Sequence, residues 1–141
     1  MAYWKFVSTE KTEVECFLRR LFGNPGRVVD ETGVSLDVEE GDTLFLHRWK
    51  FDGPGRIDGP FVAVGDAEKN INPNAWAHKG DIDWHVEFDW VEPVYSRRVD
   101  KIGSGDSSPV EIKSHAQALS EVQEIWLSGA LKDGIQTVSF P

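Results

Sequence analysis

The chain has 141 residues, with 15 Lys plus Arg against 24 Asp plus Glu, a formal charge of −9. At 15.9 kDa it buries roughly 68% of its unfolded surface on folding, enough for one self-sufficient core over residues 1–141 and little room for two. With 40% apolar and 28% charged residues the composition is globular and excludes disordered, collagen-like and coiled-coil classes. No run approaches the roughly 18 apolar residues of a membrane span, and the N-terminus lacks a basic region followed by an apolar one, so a cytoplasmic location is expected. Cys16 is the single cysteine, which excludes an internal disulfide framework.

Residues 1–60 carry 8 basic and 11 acidic side chains and residues 61–141 carry 7 and 13. Neither half is a polycation, so non-specific nucleic-acid binding by phosphate neutralisation is disfavoured. A small pocket escapes that objection. Locally basic pieces occur at Arg19, Arg20 and Arg27, at His47 to Lys50 with Arg56, and at Arg97, Arg98 and Lys101; each alone reads as solvated, mixed-sign surface.

Tyr3 to Ser8 reads as an opening strand, and Thr12 with Glu15 as a capping box. In the helix that follows, Val14, Phe17, Leu18 and Leu21 make one apolar stripe, Arg19 and Arg20 sit near the carbonyl-rich end, and Gly23 and Pro25 stop it. Glu39 to Asp42 is a tight turn into the strand Thr43 to His47. Phe51 to Gly59 reads as a hairpin connection into the apolar run Phe61 to Val64. Gly65 to Asp81 reads as a long ordered loop. Trp84, Val86, Phe88 and Trp90 then alternate with polar residues, placing four large apolar groups on one face of a strand. Val91 to Val99 continues after a bend at Pro93, and 103–109 is a flexible loop by composition. Ser120 and Gln123 form a second capping box, with Val122, Ile125 and Trp126 as that helix's apolar stripe. Gly134 ends the helix before a last strand, Thr137 to Phe140. Several antiparallel-looking strands with two or three helices fit an α+β fold, a small curved sheet or barrel with helices on its flank.

His47, His78, His85 and His115 never fall at metal-ligand spacing with one another or with Cys16, so a zinc site is not expected. No Walker-type loop and no nucleophile elbow occurs, Cys16 reads as buried and inert, and no cofactor is implied. Asp81 and Asp83 read as strand-edge solvation rather than as an acid/base pair. Trp84, Trp90 and Trp126 lie on apolar stripes and are explained by packing. Trp49, between Arg48 and Lys50, and Trp76, after an Asn/Pro loop, have no such pattern. Packing explains each as well as a ligand does, but with Asn72, Asn74 and Ser8 they would form a slot for a stacked planar ring.

The segments Tyr-Trp-Lys-Phe-Val, Leu21-Phe22-Gly23-Asn24-Pro25, Thr43 to His47, Gly59 to Val64, Ile71-Asn72-Pro73-Asn74-Ala75-Trp76 and Trp84 to Phe88 together resemble the DCD domain and its EVE and YTH relatives in the PUA-like superfamily, over about residues 2–100. Asn24 departs from the family's usual Leu, and Ile82 to Val86 replaces its Pro-Ala-Gln-Val-Arg stretch. The resemblance implies a PUA-like curved antiparallel β-barrel with two or three flanking helices and a pocket for a modified base in an aromatic cage. By position, Ser8, Phe22, Trp49, Asn72 and Trp76 would line that pocket, with Arg48, Lys50 and Arg56 on flanking phosphates of RNA, DNA or a free nucleotide. The first expectation is therefore a non-catalytic reader of a modified nucleobase. The alternatives are a DCD-type protein-interaction or stress-associated module and an ASCH-like amidohydrolase on a modified nucleoside, which needs a Lys meeting an acid.

Overall fold

A computed structural model of the chain describes residues 2–26, 36–50, 53–77, 82–90, 93–99, 116–132 and 135–137. The elements are β1 (Tyr3–Ser8), α1 (Glu13–Arg19), β2 (Leu21–Asn24), β3 (Thr43–Lys50), β4 (Gly53–Ala63), β5 (Glu68–Lys69), β6 (Trp84–Asp89), β7 (Val94–Arg98), β8 (Gln117–Leu119), α2 (Glu121–Lys132) and β9 (Ile135–Thr137). The protein is α+β: a mixed sheet of strand order β2-β6-β4-β3-β1-β8, with β7 and β9 branching from β4 and β5 from β6, curls into a half-barrel. The sheet is mixed rather than antiparallel because β1 pairs with β3 in parallel. The chain between them passes through α1 and β2, the crossover that a parallel pair requires.

The long strand β4 makes the curl. Its first half, Arg56 to Gly59, pairs with β7, and its end, Val62 and Ala63, pairs with β6. Gly59 and a cis bond to Pro60 lie at the change of partner. The sequence reading placed Phe51 to Gly59 in a connection. The strand instead begins at Gly53, because Gly55, at φ +76°, passes so close to the Arg48 carbonyl that no Cβ fits, and so Gly marks a close backbone approach inside a strand.

One face of the sheet carries the larger core, in which Phe22 stacks on Phe88 with ring centroids 3.9 Å apart and meets Phe61 edge-on. The other face holds Phe45, Ile57 and Leu119 against Leu127 and Leu131 of α2.

Both helices are rotated from their expected faces. In α1 the buried residues are Cys16 and Phe17, while Val14 and Leu18 are exposed. Arg20 turns left-handed at the C-cap and the chain leaves as β2, so Leu21 belongs to a strand and not to the helical stripe. The first capping box does not form. Thr12 Oγ1 accepts from the Thr9 amide at 2.9 Å, and Glu15 Oε1 accepts from the Trp76 amide and pairs with Arg19. The second box does form: the Ser120 amide donates to Gln123 Oε1 at 2.8 Å and the Gln123 amide to Ser120 Oγ at 3.1 Å. Leu127 and Leu131, rather than Val122 and Ile125, then face the sheet.

β6 follows the alternation, except that His85 is also buried. Its Nε2 donates to the Ile82 carbonyl at 2.8 Å, which leaves Nδ1 to accept from the Asn72 amide at 3.3 Å. The loop expected at 103–109, and residues 138–140 of the last strand, lie outside the described residues. No helix among the described residues is long and apolar enough to cross a membrane.

Candidate site at the polar end of the half-barrel

Cross-strand partners share a face, so register sorts the side chains inside the curl into rows. The first row is Trp4, Leu44 and Phe61, and the second is Phe6, Leu46, Asp58 and Ser96. The third is Ser8, Arg48, Arg56 and Arg98, drawn from β1, β3, β4 and β7. The concave face therefore passes from wholly apolar to wholly polar within two steps of two residues. Burial changes with it: Ser8 is enclosed, Arg48 and Arg56 are half-buried and Arg98 is exposed.

Asp58 holds the centre of this end. It is 0% exposed, a position where an ionised carboxylate needs a partner. Arg48 supplies it, with Nε 2.5 Å from Asp58 Oδ2 and Nη2 donating to Oδ1 at 3.2 Å. The shorter approach is an ion contact rather than an aligned hydrogen bond. Nη1 of Arg48 reaches Glu13 Oε1 at 2.8 Å, which fixes the start of α1 over the end of β3. Ser96 Oγ accepts from Arg56 Nε at 2.7 Å and more distantly from Arg48 Nη2 at 3.4 Å, while Arg56 Nη2 donates to the Ser96 carbonyl at 3.2 Å. Burial pushes the Asp58 carboxyl above its ordinary range, with the Arg48 charge and the Ser96 hydrogen bond pulling it part of the way back. Burial alone would lower the Arg48 pKa, but Asp58 and Glu13 outweigh it and the guanidinium stays charged.

Apart from Arg48 Nε and Asp58 Oδ2, which meet in the ion contact, one buried polar atom at this end lacks a hydrogen bond. Ser8 Oγ is enclosed, its residue 2% exposed, and has no hydrogen-bond partner among the described residues. Buried hydroxyls are nearly always paired, so this one marks a position where a donor or acceptor is missing.

Of the residues expected to form a pocket, the structure brings together Ser8, Arg48 and Arg56. Trp49 follows Arg48 along β3 and is 39% exposed, and Lys50 is described in backbone only. Phe22 and Trp76 belong to the core instead. Trp76 is 1% exposed, its indole Nε1 donates to the Thr12 carbonyl at 3.0 Å, and its ring lies against Gly23 and beside His85. Protein groups thus occupy the surroundings that a stacked base would need, and Trp49 and Trp76 do not form a slot. Asn72 Oδ1 accepts from the Asn74 amide at 3.0 Å and shapes its own turn.

Sequence reasoning missed Glu13, Asp58, Ser96 and Arg98. A signal existed for one of them: with Arg48 opposite Arg56, strand alternation carries Asp58 to the next row opposite Leu46. The bulge between Arg48 and Lys50 hides that register from the turn, since a regular hairpin with Lys50 opposite Gly53 would set Arg48 against Gly55. The chain matches no protein-family model and no curated protein.

Proposed function

We propose that the half-barrel is a PUA-like domain acting as a non-catalytic binding module, and that it takes a nucleobase, modified or free, at its polar end. The observation that carries the reading is Ser8 Oγ, enclosed and without a hydrogen-bond partner among the described residues, opposite Arg48 of the Arg48 and Asp58 pair. A base edge presents donors and acceptors in one plane, the kind of partner that an enclosed hydroxyl and a row of guanidinium groups can read. Trp49, next along the strand, alternates to the other face of β3 and is the control position.

The amidohydrolase alternative is less well supported. It calls for a lysine meeting an acid, but Asp58 is engaged by Arg48, and Lys5 pairs in register with Phe45 on the opposite face of the sheet. A protein-interaction module of DCD type is favoured by Val14 and Leu18 on α1 and by Val122 and Ile125 on α2, all exposed.

The test is calorimetric titration of nucleosides, modified and unmodified, into wild type, Ser8→Val and Trp49→Ala, with thermal melts of each. Saturable binding weakened at least about tenfold in Ser8→Val, with melting unchanged and wild-type affinity in Trp49→Ala, supports the site. Wild-type affinity in Ser8→Val, or binding of no nucleoside, rejects it.

A further inference from the structure

We infer that the third row is an oxyanion subsite, centred on Arg56, so that the ligand is a nucleotide held through its phosphate and not a bare nucleoside. The inference rests on the nucleobase reading above for the identity of the group that the phosphate carries. The anion site itself follows from the row.

Arg48, Arg56 and Arg98 are direct cross-strand partners on three adjacent strands. Strands lie about 4.8 Å apart, so three guanidinium groups spring from backbone positions spanning about 10 Å. Like charges directly opposite one another destabilise a sheet. This row stands in a protein where 24 acidic residues outnumber 15 Lys plus Arg, which makes the alignment of three cations more informative than it would be in a basic protein.

Between Arg48 and Arg56 the described carboxylates are shared unevenly. Glu13 and Asp58 both contact Arg48, while Arg56 feels the Asp58 charge without pairing with it. Among the described residues Arg56 hydrogen-bonds only to neutral oxygens of Ser96, one through Nε and one through Nη2, and Nη1 takes no part in those bonds. Ser96 thereby fixes the plane of the Arg56 guanidinium, half-buried and pre-oriented, with donors remaining. An oriented guanidinium with free donors is the usual recognition element for a phosphate, since its planar fork meets two oxygens at once. Arg98, at the exposed end of the row, adds a second positive charge toward solvent. Ser8, at the enclosed end, lies one strand beyond Arg48, so the row runs from base-reading hydroxyl to phosphate-reading cations.

The test compares a nucleoside, its 5′-monophosphate, a short single strand of the same base and inorganic phosphate, each titrated into wild type, Arg56→Gln and Arg98→Gln. The expected result is that the monophosphate or the strand binds at least about tenfold tighter than the nucleoside. That gain should be lost in Arg56→Gln, reduced in Arg98→Gln and weakened by added salt. Preference between monophosphate and strand tells a free nucleotide from a nucleic acid. Arg98→Gln, at an exposed position, keeps the test meaningful if Arg56→Gln melts early. Equal affinity for nucleoside and monophosphate in all three proteins overturns the subsite and leaves the nucleobase reading standing. Binding of inorganic phosphate that is lost in Arg56→Gln, with no binding of any nucleoside or nucleotide, retains the anion site and overturns the nucleobase reading. Binding of none of the four overturns both.

Discussion

Arg48→Met tests whether the polar end is built around a buried carboxylate. The substitution keeps the length of the side chain but removes the charge from Asp58, which is 0% exposed. Removing one partner of a buried pair costs about 3–5 kcal/mol, because the other charge is stranded. Arg48 retains 22% side-chain exposure, so water partly substitutes for it and the lower end of that range is expected. For 141 residues, an unfolding entropy of about 2.1 cal/mol/K per residue makes each kcal/mol worth about 3 °C in Tm, so the variant should melt about 10 °C early. The loss should depend on pH. The Asp58 carboxyl already titrates above its ordinary range in the fold. The native state therefore binds more protons than the unfolded chain between the two pKa values, and stability falls as pH rises through that window. Without Arg48 the native value rises further, so the deficit relative to wild type should be larger at pH 8 than at pH 5. Arg48→Met with Asp58→Asn should recover most of it, since no buried charge is left. Thermal melts followed by circular dichroism at both pH values measure all of this. A deficit under about 3 °C, equal at both pH values and not relieved by Asp58→Asn, would refute the argument.

The remaining predictions concern packing. A Cβ on Gly59 would sit 2.5 Å from Phe45 Cδ1, and Phe45 is buried with no room to withdraw, so Gly59→Ala should cost about 1–3 kcal/mol in urea unfolding; no loss would mean that Phe45 repacks freely. Trp76→Ala should destabilise by about 3–5 kcal/mol, whereas a pocket-wall tryptophan would leave the denaturation midpoint nearly unmoved. Burial, with Glu13 and Glu15 adding to it, pushes the Cys16 thiol pKa up, so a chromogenic disulfide reagent at pH 8 should label it only at the rate of global unfolding. Rapid labelling of the native protein would place the thiol at the surface.

What the sequence made legible, and what it did not, divides along a physical line. Strand β6 carries its own evidence in an alternating pattern, and β1 and β3 in short apolar runs, neither of which needs knowledge of the partner. Ser120 and Gln123 are three residues apart and satisfy each other locally. The helix stripes failed for a different reason. In α1, Val14, Phe17, Leu18 and Leu21 are spaced correctly for a helical face, but the helix lasts seven residues and only Phe17 of its members turns inward, because the strand that follows claims Leu21. In α2 both Val122 with Ile125 and Leu127 with Leu131 fit the helical period, and only docking against Phe45 and Ile57 selects the second pair. Trp49 and Trp76 looked alike as aromatics without a pattern. The loop around Trp76 folds back under α1, where the Thr12 carbonyl and the Glu15 carboxylate receive its indole and amide, a long-range closure that no local pattern encodes.

The polar end depends on the same non-local ordering. Ser8, Arg48, Arg56 and Arg98 are tens of residues apart or separated by a hairpin, and each alone is an ordinary strand-end residue. Register turns them into one row, and the bulge between Arg48 and Lys50 shows how little separates this row from another, since a one-residue slip of β4 would send its side chains to the opposite face. The same slip would bring Ile57 into the core face and carry Asp58 away from Arg48, to the face of Phe45 and Leu127. Asp58 and Arg48 therefore do more than sit beside a candidate site. Because the contact between Arg48 and Asp58 needs both residues on the concave face, it favours this alignment of β3 with β4, and through it the placement of Arg56 opposite Arg48 and Arg98. Fold and site share one determinant here, so a substitution that relaxed the register would lose the row even where every one of its residues was retained.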